Sequence, residues 1–134
     1  MIQAYSRNIT VEADTAIPFN NVTLKKGCSA VQSGPATFQL NKAGIYMVSC
    51  NASLTPTAAG EVSIQLSKNG ILQPEAISIE QGTADAPTSM SFCTLVQVQE
   101  NNTCSCCTSP TNIQIINSAA GVFPIANIVI TKLC

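Results

Sequence analysis

Histidine and tryptophan are absent from this 134-residue chain, and charged residues make up only 10% of it. Without histidine, the Ser-His-Asp and Cys-His nucleophile arrangements are excluded, together with the commonest general base near neutral pH. The remaining lysines and carboxylates are few and scattered. No phosphate-cradling loop occurs either, because Gly27, Gly34, Gly44, Gly60, Gly70, Gly82 and Gly121 each stand alone in a turn. The chain is therefore expected to be no enzyme, with no catalytic residue and no cofactor. Long apolar runs of the kind that cross a bilayer are missing, so no membrane partner is expected. The stretch Met1 to Arg7 lacks a basic region followed by an apolar one, so no secretion signal is expected there. Net charge is −1, and Lys25-Lys26 is the only basic pair, which leaves counterion release from nucleic acid little to work with.

What is present is apolar and β-prone. Hydrophobic residues make up 46% of the chain with aromatics at 4%, so the apolar content is carried by Ile, Val, Leu and Ala. Combined with abundant Thr, Ser, Asn and Gln, this profile favours strands. An average soluble domain is about 25% charged. With so little charge here, something other than water is expected to cover part of the surface. The length fits a single domain over residues 1–134, with residues 1–8 as a possible N-terminal arm.

Turn signals recur at short intervals, among them Pro18 to Asn21, Ser33-Gly34-Pro35, Asn41 to Gly44, Thr55 to Gly60 and Gln81 to Pro87. Short alternating segments between such turns read as an all-β sandwich or barrel. Lys68-Asn69-Gly70 is the sharpest turn, since Asn-Gly tolerates the positive φ angles of a type I′ hairpin. Pro74 interrupts the second limb of that hairpin and predicts a bulge or a sheet edge. In Gly44 to Leu54, Tyr46, Val48, Cys50, Ala52 and Leu54 share one face, while Ile45 and Met47 lie on the other. Ser89 to Glu100 alternates similarly. Between Ile125 and Leu133, Ala126, Ile128 and Ile130 oppose Ile125, Val129 and Leu133. A strand apolar on both faces needs cover on both. No helical segment is available to supply it, so the expected cover is another copy of the chain, through Ile45, Met47, Ile125, Val129 and Leu133.

Seven cysteines are many for this length, and the number is odd. Cys28, Cys50, Cys93 and Cys134 read as small buried hydrophobes. Cys104-Ser-Cys-Cys107 leaves three readings open: ordinary loop thiols, a disulfide, or half of a metal site. Cys104 and Cys107 have a zinc-like interval, but the chain has no second such pair. Glu12 and Asp14 alternate as they would on a strand, which makes them candidate cation ligands against the plainer reading of a solvated face. Asn8, Asn21 and Asn51 match the glycosylation pattern, as chance allows in a chain rich in Asn, Ser and Thr.

Several phrases occur in an order that resembles the tumour-necrosis-factor-like jelly roll, the superfamily that includes the complement globular head. They are Ile17-Pro-Phe-Asn20, Ala36-Thr-Phe-Gln-Leu40, Ala43-Gly-Ile-Tyr-Met-Val48, Val62-Ser-Ile-Gln-Leu-Ser-Lys-Asn-Gly70 and the apolar Ile125 to Leu133 strand. The resemblance is closest to the bacterial and phage branch, which includes the terminal domain of collagen-like spore-surface glycoproteins. It implies a ten-strand antiparallel jelly roll forming a compact homotrimer. The Gly-X-Y stalk of those spore proteins is missing, which fits a bacteriophage capsid decoration protein better than a filament tip. Its partners would be itself and a major capsid protein or other surface lattice, and its location the virion surface. The alternative is a spore-surface or adhesin-type head that binds a receptor or glycan.

Overall fold

The computed structural model of the chain describes residues 1–99 and 111–134. Eleven strands run through them: β1 (Ile2–Val11), β2 (Thr15–Ala16), β3 (Asn21–Lys25), β4 (Ala30–Gly34), β5 (Thr37–Leu40), β6 (Gly44–Pro56), β7 (Gly60–Lys68), β8 (Ile71–Gly82), β9 (Thr88–Val98), β10 (Thr111–Asn117) and β11 (Gly121–Lys132). Strands make up 73% of the chain, and the described residues include no helix. One sheet has the order β3-β1-β11-β6-β9. The other runs β4-β5-β10-β7-β8, with β2 paired to β10 beside β5. Every pairing is antiparallel. The strand count is eleven rather than ten, because short β2 is a two-residue bridge that no sequence periodicity could mark.

Alternation decides which side chains fill the space between the sheets. On β6, Tyr46, Val48, Cys50, Ala52 and Leu54 are buried, and on β11 so are Ala126, Ile128 and Ile130, as the sequence pattern predicts. They meet Phe38, Leu40, Ile64, Leu66, Ile113 and Ile115 from the opposite sheet in one core. Phe19 and Phe38 pack tilted with ring centroids 5.7 Å apart. Tyr46 is fully buried, and its hydroxyl donates to the Lys42 carbonyl at 2.6 Å. Burial also raises its pKa, because the phenolate would lose its hydration.

Residues 1–8 are not an arm. All but Met1 belong to β1, which lies between β3 and β11, and Ile2, Ala4 and Ser6 are buried. Ser6 lacks apolar bulk but clamps the chain: its hydroxyl donates to the Pro18 carbonyl at 2.7 Å and accepts from the Asn20 amide at 2.8 Å.

The hairpin expectation holds in detail. Asn69 and Gly70 have φ of 52° and 84°, the positive pair that a type I′ turn requires. Pro74 lies on edge strand β8, where the register slips between Gln65 and Ser67, so it marks a bulge and an edge together. Pro124 is harder to accommodate, because β11 is an interior strand and proline cannot donate to the ladder. The register breaks between Val122 and Ile125 towards β6. On the other side, Asn8 of β1 adopts φ 53° and drops out of the pairing. A bulge towards β6, and an unpaired Asn8 opposite the proline on β1, let it pass.

Candidate functional site

With the interior filled, the outward face of the β3-β1-β11-β6-β9 sheet is where the sequence placed the unexplained apolar residues. Cross-strand register sorts its side chains into rows. Thr131, Met47 and Leu95 form one row, and Leu24, Gln3, Val129, Ser49 and Cys93 the next. Then comes an all-polar row of Asn21, Tyr5, Asn127, Asn51 and Ser91, followed by Arg7, Ile125, Ser53 and Ser89. Leu133 lies beyond the end of β11 beside Ile45, its amide donating to the Ile45 carbonyl at 2.7 Å. Arg7 is the only charged side chain in these rows.

All five residues expected at a contact between copies lie on this face. Ile45, Met47 and Val129 are half-buried, while Ile125 and Leu133 are 43% and 52% exposed. Beside them is a depression of about 420 Å³ lined by Asn51, Ser53, Ser89, Ser91, Ile125 and Asn127. Asn127 Oδ1 is covered yet has no hydrogen-bond donor among the described residues.

A second apolar region, which the sequence reading missed, lies on the sandwich edge made by β8 and β9. Ile71, Leu72 and Ile79 of β8 are 68%, 49% and 51% exposed, and Leu95 of β9 is 60% exposed. The two edges are laced together. The Ser91 amide donates to Ser78 Oγ at 3.3 Å, and Lys68 Nζ donates to the Gln97 carbonyl at 2.9 Å. These contacts occupy part of the free backbone edge of β9, a standard defence against strand addition. The signal for this region was present in Ile71, Ile77 and Ile79, with Pro74 pointing to an edge, but only the tertiary structure brings β9 beside it.

The other expected sites fare differently. Glu12 and Asp14 do not alternate on a strand: β1 ends at Val11, and both side chains are exposed on the turn that follows. That turn is built by its backbone, with Asp14 at φ 58° and its amide donating to the Asn117 carbonyl at 2.7 Å. No group of three or more potential metal ligands comes together among the described residues. Cys104, Cys106 and Cys107 lie outside the described residues. Of the remaining cysteines, only Cys50 is a buried hydrophobe, and desolvation pushes its thiol up to about 12. Cys28, Cys93 and Cys134 are exposed, contrary to expectation, because Cys28 precedes β4 in a loop, Cys93 points outward and Cys134 lies beyond β11.

No protein-family model matches the chain, and no curated protein sequence does either. Similarity appears in three dimensions. The globular domain of zebrafish complement 1qA superposes with a TM-score of 0.72 at 13% identity, covering 99% of this chain and 96% of that one. Murine APRIL gives 0.66 at 13% identity, covering 98% of each. The PRD1 vertex protein P5 gives 0.60 at 14% identity, covering 99% and 96%. The fold is thus an all-β sandwich similar to the tumour-necrosis-factor-like and C1q-like jelly rolls. At these identities the likeness defines the fold.

Proposed function

We propose that this chain is a non-enzymatic structural protein that assembles as a homotrimer and decorates a virion surface, mounted on a capsid protein or similar lattice. The observation that carries the reading is the outward face of the β3-β1-β11-β6-β9 sheet, which bears one charge and a series of Ile, Leu, Met and Val side chains. Covering one such side chain is worth roughly 1.5–3 kcal/mol, and three-fold symmetry repeats each contact three times. The exposed Ile71, Leu72 and Ile79 of β8 belong to the other sheet and lie apart from this face. A contact between two unlike patches is head-to-tail, and such contacts close into rings when the rotation allows.

The virion location draws support from the fold shared with a vertex protein, P5 of PRD1. It also fits a chain with only 10% charged residues and a net charge of −1, which offers nucleic acid little to hold. Two measurements test the reading. Light scattering at micromolar concentration should give three times the 14.0 kDa chain mass, and a monodisperse monomer would end the trimer reading. Copurification and cryo-electron microscopy should find the protein on virions; its recovery on spores or cell envelopes would replace the decoration role with that of a surface head domain.

A further inference from the structure

Asn127 occupies an anomalous place on the outward face. It lies on β11 between Ile125 and Val129 in the same outward-facing series, paired across the ladder with Asn51 of β6 and Tyr5 of β1. Its Oδ1 is covered and has no donor among the described residues, the single such side-chain atom found there. A buried acceptor left unpaired costs about 1–3 kcal/mol. Leucine at this position would have continued the apolar series without that cost.

We propose that Asn127 sets the number of copies in the assembly, its amide accepting from Asn127 of one neighbouring copy and donating to Asn127 of the other. The proposal rests on the self-assembly reading and deepens it. Whatever covers Ile125 and Val129 also covers the residue between them, so Asn127 goes into the same interface and must find its partner there. Around a three-fold axis, a primary amide is its own complement, because each carries two N–H donors and a carbonyl acceptor. The side-chain amide torsion of asparagine is broad. Asn127 itself lines the depression beside Asn51 and Ser53, the opening towards which its amide would turn. One polar amide in an apolar seam holds register and stoichiometry at some expense in stability, as buried asparagines do in coiled coils.

The test uses the full chain and native mass spectrometry, with N127L, N127D and V129D beside the wild type. N127L should stay folded and associated, but its single trimer peak should spread over several stoichiometries. N127D should fall to single-chain mass at pH 7, where three carboxylates would face one another. It should recover the trimer below about pH 4, where a protonated carboxyl again both donates and accepts. The wild type taken through the same range accounts for the other titratable groups on the face, Tyr5 and Arg7 of β1 and Cys93 of β9. If N127L gives one trimer like the wild type, or N127D is trimeric at pH 7, the role of Asn127 is overturned. A trimer that V129D still breaks would leave the self-assembly reading standing. A monomeric wild type would remove both. If N127L does not fold, the pH response of N127D decides.

Discussion

On the outward face of the β4-β5-β10-β7-β8 sheet, polar side chains find partners within the chain. The Gln65 amide donates to the Gln73 carbonyl at 2.9 Å, Gln114 donates to Thr37 Oγ1 at 2.9 Å, and Asn69 Oδ1 accepts from the Asn112 amide at 2.8 Å. The opposite face of the sandwich is made from similar residue types and ends in a different state. Its asparagine row holds a covered oxygen with no donor among the described residues, and its neighbouring rows hold exposed Ile125, Leu95 and Leu24. Low charge alone therefore does not identify an interface, since both faces are nearly uncharged. What separates them is whether the polar groups are satisfied without outside help. The first face satisfies these polar groups within the chain, although exposed Ile79 also lies on it; the second is the one we read as waiting for another copy.

The largest expected effect comes from charging the unfinished face. In the proposed trimer, Val129→Asp should bury three like charges close together and dissociate the assembly. Sedimentation or light scattering should then fall from three times 14.0 kDa to one, and a trimer that survives would remove this face from the interface. Smaller and confined to high pH is the contribution of Cys50, which lies on β6 with its thiol in the core. Its folded pKa is raised from 9.0 to about 12, so its contribution is complete below pH 9 and lost as pH rises through that interval. The slope is at most about 1.4 kcal/mol per pH unit. Cys50→Ala should flatten the alkaline fall in denaturation midpoint relative to wild type. An unchanged fall would mean that other groups carry it.

Gln114→Ala probes the finished face. Losing the bond to Thr37 should cost about 0.5–1.5 kcal/mol in chemical denaturation, with no change in assembled mass. A drop in mass would show that this face also meets a partner. Smallest is the effect of replacing Cys104, Cys106 and Cys107 together with Ser, which should leave mass and melting temperature nearly unchanged if they are ordinary thiols. A cooperative loss of stability in that variant, or in the wild type on adding a chelator, would point to a disulfide or a metal.

Period-two alternation made much of the sandwich readable in advance. It divided Gly44–Leu54 and Ile125–Leu133 into a core side and an outward side, and the structure keeps that division. Asn69-Gly70 and Pro74 were equally legible, because a positive φ pair and a missing N–H donor are properties of those residues themselves. Alternation cannot say which strands become neighbours. The burial of Cys50 against the exposure of Cys93 follows from the pairing of Ser49 with Cys93, which turns the two thiols to opposite faces of one sheet. Glu12 and Asp14 misled because the strand stops at Val11, a boundary set by the link from Asp14 to distant Asn117.

By itself the sequence determined a histidine-free, weakly charged, β-forming chain with its core residues already chosen, because composition and alternation are local properties. The tertiary structure alone decided that β9 is an edge, that Pro124 passes through an interior strand beside a bulge, and that Asn127 is covered without a donor among the described residues. Each of these depends on residues far apart in the chain arriving side by side. No periodicity within a single segment encodes which distant strand supplies, or fails to supply, a hydrogen-bond partner.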